Sequence, residues 1–80
     1  MRPEIAFGKV LRSLRLEIGK TQETLAFDAD LQRHYISLLE RGSSSPTLKT
    51  IFCLANALNI SPDQLVSLVV VELQKNKLHK

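Results

Sequence analysis

Four polar side chains with complementary hydrogen-bonding chemistry fall on one face of a short predicted helix, from about residue 32 to residue 41. They are Gln32, Arg33, His34 and Ser37. Ile36 and Leu39, with part of Tyr35, form the opposite apolar face. Amide, guanidinium, imidazole and hydroxyl groups offer both donors and acceptors, which suits base edges in a major groove. From these residues alone, a merely solvated helix face is an equally good interpretation.

This helix follows a second short helix across a very tight turn. Thr21 is the expected N-cap of that preceding helix, and Leu25, Ala26 and Ala29 form its apolar face. Asp30 tolerates a left-handed backbone and is expected to form the turn, which Leu31 then closes over the core. Gly42 ends the second helix as a C′ glycine. Such a pair presents one helix to a partner.

Three further helices complete a predicted all-α, five-helix fold in one domain spanning residues 1–80. The first runs from Pro3 to Ile18 and stops at Gly19. Its apolar face consists of Phe7, Leu11, Leu14 and Ile18. A polar connector at residues 43–46 precedes the fourth helix, which begins near Thr47. The expected core residues of that helix are Leu48, Ile51, Phe52, Leu54, Ala55 and Leu58.

The fifth helix, about residues 62–74, begins with a capping box at Ser61-Pro62-Asp63-Gln64 and is followed by a polar tail at 75–80. It is apolar nearly all round and needs two surfaces to bury it. One is the domain core, and a second copy of the chain is favoured for the other. The alternatives are a β-strand or a helix engulfed by its own domain. The expected dimer-interface residues are Val66, Val69, Val70 and Leu73.

Composition narrows the functional classes. A net charge of +3 and a pI near 9.4 favour a localised basic patch over sequence-independent wrapping of DNA. The longest apolar stretch, residues 65–73, is far shorter than the roughly 20 residues that span a bilayer. We therefore expect no membrane association. We also expect no signal peptide, because Met1-Arg2-Pro3-Glu4 is not followed by a continuous apolar segment. The single Cys53 fits a reducing cytoplasm.

Catalytic and metal chemistry have no support in the sequence. His34 and His79 lack companions at metal-binding spacing, and Cys53 has no evident base. No Gly-rich phosphate loop is present. We expect a protein that is not an enzyme, with no catalytic residues, metal, cofactor or small-molecule ligand.

The motifs Thr21-Gln22-x-x-Leu25-Ala26, Tyr35-Ile36-Ser37 and Leu39-Glu40-Arg41-Gly42 resemble the helix-turn-helix of the phage repressor and Cro (XRE-type) family. Residues 7–19 resemble that family's first helix, and residues 46–61 its fourth helix and the start of its fifth. The resemblance covers about residues 7–65 with its spacing intact. It implies a lambda-repressor-like domain whose second and third helices form the helix-turn-helix.

The resemblance also implies roles for individual residues. The base-contacting positions are Gln32, Arg33, His34, Ser37 and Leu38. The phosphate-contacting positions are Gln22, Tyr35, Arg41, Ser43, Thr47 and Lys49. Arg33 is the candidate for a bidentate guanine contact, with a phosphate contact as its alternative. Leu38 either covers a thymine methyl or packs on the domain. We expect Tyr35 to pack its ring on the domain and to offer its hydroxyl to the DNA backbone rather than to contact a base.

An ion pair between Arg15 and Glu40, also implied by the resemblance, would set the angle of the recognition helix. Three positions depart from the family pattern. Asp30 replaces the usual Gly, Gln32 replaces a capping Ser or Thr, and Lys20 replaces an apolar residue. Asp28 and Asp30 also add negative charge near the expected path of the DNA backbone.

The expected function is that of a cytoplasmic transcription regulator, of the repressor or controller type, that binds double-stranded DNA as a homodimer. Phage repressors and restriction-modification controller proteins act in this way. Two recognition helices related by a two-fold axis would read an inverted repeat. The alternative is an antitoxin-like or adaptor protein whose main role is to bind another protein.

Overall fold

The computed structural model describes residues 1–78 and the side chains of residues 1–75. Within that part of the chain there are five α-helices and no strand, which confirms the all-α prediction. The helices are α1 (Pro3–Glu17), α2 (Gln22–Ala29), α3 (Arg33–Glu40), α4 (Leu48–Ala57) and α5 (Pro62–Leu78).

Side-chain caps define the starts of three helices. Thr21 Oγ1 accepts a hydrogen bond of 3.0 Å from the backbone amide three residues later, and Thr47 Oγ1 accepts one of 3.1 Å in the same way. Ser61 and Gln64 form the predicted capping box, with reciprocal bonds of 3.3 and 3.0 Å between side chains and backbone amides. These local bonds satisfy amides that a helix leaves unpaired at its start.

The first four helices end with a residue in the left-handed region. These residues are Gly19 (φ 72°), Asp30 (58°), Gly42 (73°) and Asn59 (61°). The next amide then reaches back into the last turn: Leu31 N donates to Ala26 O at 2.8 Å, and Ser43 N donates to Leu38 O at 2.9 Å. This is the Schellman arrangement. It confirms that Asp30 forms the turn between α2 and α3.

All five helices contribute to one core. The largest fully buried side chains are Leu11, Leu25, Ile36, Leu39, Leu54 and Leu65. Gly8 lets α1 lie directly against the last turn of α3, since a Cβ at this position would be 2.5 Å from Leu39 O and 2.7 Å from Glu40 O. The core and this close contact fix the position of α3 relative to α1.

Three apolar residues expected in the core are exposed. Leu48 is 72% and Phe52 is 55% exposed, because α4 buries the side formed by Thr50, Leu54 and Ala57. Ile18 is 41% exposed, since α1 ends at Glu17 and the chain turns away at Gly19. These predictions were therefore wrong.

The helix α5 is longer than predicted. It continues past residue 74 to Leu78, because no Gly or Pro interrupts residues 74–78 and these residues are mostly good helix formers. His79 and Lys80, which belong to the predicted tail, lie outside the described residues. Within residues 1–78 no single helix is long and apolar enough to cross a bilayer. Only α4 and residues 62–75 taken together are long and apolar enough, and the chain bends by 102° between them.

Candidate nucleic-acid interface

The first turn of α3 presents a polar surface. Gln32, Arg33 and His34 are exposed, whereas Ser37 and Leu38 are half-buried. Gln32 is the N-cap residue by position, but its side chain makes no capping bond. Among the described residues, none of these polar side chains has a hydrogen-bond partner. Their donors and acceptors are consequently available to a ligand.

The Arg15–Glu40 ion pair forms as expected and joins α1 to the end of α3. Arg15 Nε donates to Glu40 Oε2 at 2.6 Å, and Nη2 donates to Oε1 at 3.0 Å. The two side chains are only 9% and 4% exposed. The hydrogen bond to Glu40 raises the pKa of Arg15, against the opposing effect of burial. This bidentate geometry restrains the angle of α3.

Two more groups complete what we term the Glu40 network, made of Arg15, Lys20, Gln22 and Glu40. Arg15 Nη1 donates to the Lys20 carbonyl at 2.9 Å, and Gln22 Nε2 donates to Glu40 Oε1 at 3.1 Å. The start of α2 is therefore tied to the end of α3. Gln22, expected to contact phosphate, is held with one amide hydrogen already engaged.

Tyr35 links α3 to the start of α4. Its ring packs against the core, as expected, and its hydroxyl lies 3.2 Å from Thr50 Oγ1. Thr50 Oγ1 is also 2.9 Å from the hydroxyl of Thr47, the α4 N-cap. Sequence reasoning missed Thr50, which is buried at 6% exposure. Its position three residues after a threonine cap was the available signal.

Lys20, the unusual residue before α2, makes two polar contacts. Its Nζ donates to Ala57 O at 2.8 Å, at the end of α4, and lies 2.7 Å from Asp28 Oδ2. A cation at a helix C-terminus is favourable. Lys20 thus offsets the negative charge of Asp28, one of the two aspartates expected near the path of the DNA backbone.

The segment between α3 and α4, together with the first turn of α4, carries the remaining predicted phosphate contacts. Arg41, Ser43, Thr47 and Lys49 are all exposed. Arg41 Nε donates to Ser37 O at 3.4 Å, so its side chain runs back along α3. The Ser43 amide is engaged at the end of α3, which leaves only its hydroxyl for a ligand.

A second, apolar surface lies on α4 and α5. Val66 and Val70 are 44% and 47% exposed, while Val69 and Leu73 are half-buried and Val69 packs on the core. Val66 and Val69 share an apolar cavity of about 230 Å³ with Ile51 of α4. The exposed Leu48 and Phe52 lie beside Ile51 on α4. We call Leu48, Phe52, Val66 and Val70 the α4–α5 surface.

Sequence reasoning missed the α4 part of this surface. The signal was an excess of apolar residues: a ten-residue helix cannot bury both its Leu54–Ala57 side and the Leu48–Phe52 side against one core. Within residues 1–78 no group of three or more His, Cys, Asp or Glu side chains is placed to hold a metal ion.

Comparison with known proteins agrees with this geometry. A family model described as helix-turn-helix matches residues 11–65. The control protein C.BamHI from Bacillus amyloliquefaciens is 37% identical over 68 residues, which are 84% of each chain. The restriction-modification controller protein C.AhdI from Aeromonas hydrophila is 45% identical, with a TM-score of 0.75 over 78% of this chain and 94% of that chain.

A third similar structure is the tetramer of the controller protein C.Esp1396I in complex with its natural 35 base-pair operator. It is 31% identical, with a TM-score of 0.84 over 92% of this chain and 97% of that chain. The matched residues include every element of the motif identified in the sequence, from α2 through the start of α5. The chain belongs to the helix-turn-helix family.

Proposed function

We propose that this chain is a transcription regulator of the restriction-modification controller type, which binds a specific double-stranded DNA site as a homodimer. The observation that carries the proposal is the first turn of α3. Its polar side chains are exposed and unpartnered within the described residues, while Glu40 at the other end of the same helix is buried in an ion pair. A rigid helix with an unsatisfied polar surface suits a major groove.

Base contacts are assigned to the exposed side of α3. Arg33 would donate to O6 and N7 of guanine, and the neighbouring residues would contact adjacent bases. These neighbours are Gln32, His34, Ser37 and Leu38. Leu38 is half-buried, so it would offer only part of its side chain to a thymine methyl.

Phosphate contacts flank that surface. The Gln22 amide has one hydrogen held by Glu40, which orients its other N–H for a phosphate oxygen. Arg41, Ser43, Thr47 and Lys49 would contact the backbone beyond the end of α3. Tyr35 would add its hydroxyl, which its contact with Thr50 keeps close to the start of α4.

The α4–α5 surface would form the dimer interface, with Val69 and Leu73 at its inner edge. An isologous dimer buries the same patch on both subunits. It would place the two α3 helices in successive major grooves about 34 Å apart, so the site should be an inverted repeat. Bound to this site, the dimer would repress or activate transcription. It would act in the cytoplasm and would have no catalytic activity.

Selection of bound duplexes from random DNA tests this proposal, together with sedimentation of the free protein. We expect an enriched inverted repeat and a dimer at micromolar concentration. Arg33→Ala should lose enrichment at one position in each half-site. Failure to enrich any sequence, or a monomer that associates only with a different protein, would contradict the proposal.

A further inference from the structure

A polar cavity of about 380 Å³ lies between the start of α1 and the α3–α4 connector. It is lined by Arg2, Glu4, Ile5, Arg41, Gly42 and residues 43–45. Ile5 contacts the Gly42 backbone closely, since a Cβ on Gly42 would lie 3.0 Å from Ile5 Cγ1. The first turn of α1 is thereby brought beside the segment expected to contact phosphate.

Both arginines of this cavity have a neighbour within the chain at the inner nitrogen, Nε. Arg2 Nε lies 3.4 Å from Glu4 Oε2, and Arg41 Nε donates to Ser37 O at 3.4 Å. In neither residue do the terminal Nη nitrogens have a hydrogen-bond partner among the described residues. The outer nitrogens of both side chains are therefore available to a ligand in the cavity.

The connector adds neutral donors to this pair. Ser43, Ser44 and Ser45 line the cavity, and their hydroxyls make no hydrogen bond within the part of the chain that the structure describes. The charged lining groups are two guanidinium groups and one carboxylate, so the cavity has a net positive charge. Guanidinium and hydroxyl donors around an open cavity match the oxygens of a phosphate group.

We propose that Arg2 is a further DNA ligand, which binds with Arg41 and the connector hydroxyls to the phosphate backbone of the site read by α3. This inference rests on the proposed function. A DNA phosphate is favoured over a small anion because Arg41 directly follows α3 and because Thr47 and Lys49 continue the same polar edge into α4. An open, solvent-facing cavity suits a polymer that passes along it.

Glu4 gives this site a second property. It lies beside Arg2 in the free protein, where it positions the guanidinium and also competes with an incoming phosphate. Arg2 is 73% exposed, so this contact is weak and easily exchanged. Removing the Glu4 carboxylate should therefore strengthen DNA binding, provided that Arg2 is present.

The test is the salt dependence of affinity, measured by fluorescence anisotropy with a selected duplex. Each phosphate neutralised contributes about 0.9 to the slope of log K against log salt. Arg2→Ala removes one such contact from each subunit of the bound homodimer, so it should flatten the slope by about 1.8, and its loss of affinity should be about 12-fold greater at 50 mM than at 200 mM salt. Lys75→Ala is the matched control, since it removes one positive charge from α5, and its slope should be unchanged.

Two further measurements test the role of Arg2: the affinity of Glu4→Gln and the thermal unfolding of Arg2→Ala. Glu4→Gln acts at two sites in the bound homodimer and should raise affinity by roughly 2- to 25-fold, and this gain should disappear in the Arg2→Ala background. The side chain of Arg2 makes no capping bond to α1, so thermal unfolding of Arg2→Ala should match the parent protein. An unchanged slope for Arg2→Ala, or an equal Glu4→Gln gain in both backgrounds, would overturn the inference.

A last measurement distinguishes the source of the phosphate. Inorganic phosphate is titrated into the free protein while the Ser43–Ser45 amides are followed by NMR. Saturable shifts at low millimolar phosphate, lost in Arg2→Ala, together with an unchanged DNA slope, would assign the cavity to a small anion and overturn the DNA role. If the parent protein itself binds no duplex in a salt-dependent manner, the proposed function fails, whatever Arg2 does.

Discussion

Removal of the Glu40 carboxylate should destabilise this protein far more than removal of an exposed carboxylate. In Glu40→Ala the guanidinium of Arg15, with 9% of its side chain exposed, would lose two hydrogen bonds and its counter-charge. Loss of one partner from a buried ion pair costs about 3–5 kcal/mol. Arg15 would keep its bond of 2.9 Å to the Lys20 carbonyl. We therefore expect the lower end, about 3 kcal/mol.

A loss of about 3 kcal/mol is a large share of the total free energy of unfolding. A domain of 80 residues is stable by about 4–12 kcal/mol, at roughly 0.05–0.15 kcal/mol per residue. Urea unfolding monitored by circular dichroism measures the change. With a slope of about 1 kcal/mol/M, the midpoint should fall by about 3 M. Protein concentration must be the same for all variants, because dimerisation contributes to apparent stability.

Two variants serve as controls for the loss of charge and for the unpaired guanidinium. Glu17→Ala removes an exposed carboxylate from the end of α1 and should change stability by less than about 0.5 kcal/mol. The double variant Arg15→Met, Glu40→Leu leaves no unpaired charge and should regain most of the loss. A loss below about 1 kcal/mol for Glu40→Ala would match an ordinary surface pair and refute the proposed cost of the buried charge. A double variant as unstable as the single one would refute it too.

The raised pKa of Arg15 sets the pH dependence of this contribution. A group whose pKa is raised on folding stabilises the native state fully below its unfolded-state pKa, and that stabilisation is lost as pH rises through the folded-state pKa. For an arginine both values lie at strongly alkaline pH. The guanidinium of Arg15 should therefore remain charged and contribute a constant amount at neutral and mildly alkaline pH.

Other variants test other parts of the molecule. Arg33→Ala should weaken binding to the selected site by about 1–3 kcal/mol and to random DNA much less, as measured by anisotropy; equal losses would exclude a base contact. Phe52→Lys should weaken the dimer at least about tenfold in sedimentation, since burial of one phenylalanine contributes roughly 1.5–3 kcal/mol. Phe27→Lys, at an 84% exposed site on α2, is its control and should leave the dimer intact. Asp30→Gly should stabilise the protein by up to about 1 kcal/mol and so raise the urea midpoint slightly, because φ is 58° there. A lower midpoint would show that the aspartate side chain stabilises the turn. Gly8→Ala should lower thermal stability markedly, because its Cβ would meet backbone carbonyls at 2.5 and 2.7 Å, and an unchanged melting temperature would refute that close packing.

The helix boundaries were largely predictable because their causes are local. Threonine and serine caps act within three residues, and a left-handed residue closes a helix through amides next to it. Asp30 shows that the rule holds without glycine, since its φ of 58° lies in the region that Gly19 and Gly42 also occupy. The turn could therefore be placed from the sequence despite its unusual residue.

The exposed and buried sides of α4 and the partners of buried polar groups were less predictable. Phenylalanine is a common core residue, and only the packing of α4 against its neighbours determines that Phe52 faces solvent. Lys20 bonds a carbonyl 37 residues away, and Tyr35 bonds a hydroxyl 15 residues away. Such contacts depend on tertiary packing and leave no periodic signal in the chain.

The exposed first turn of α3 has a consequence for how this protein can diversify. Gln32, Arg33 and His34 make no side-chain hydrogen bond within the described residues, whereas the far end of the same helix is secured by Glu40. Substitutions at these three positions should leave the free energy of folding almost unchanged. A family of variants with new operator preferences could thus arise by single steps, without compensating changes in the core. Exchange of these side chains is accordingly the direct route to redesigning the sequence that this scaffold recognises.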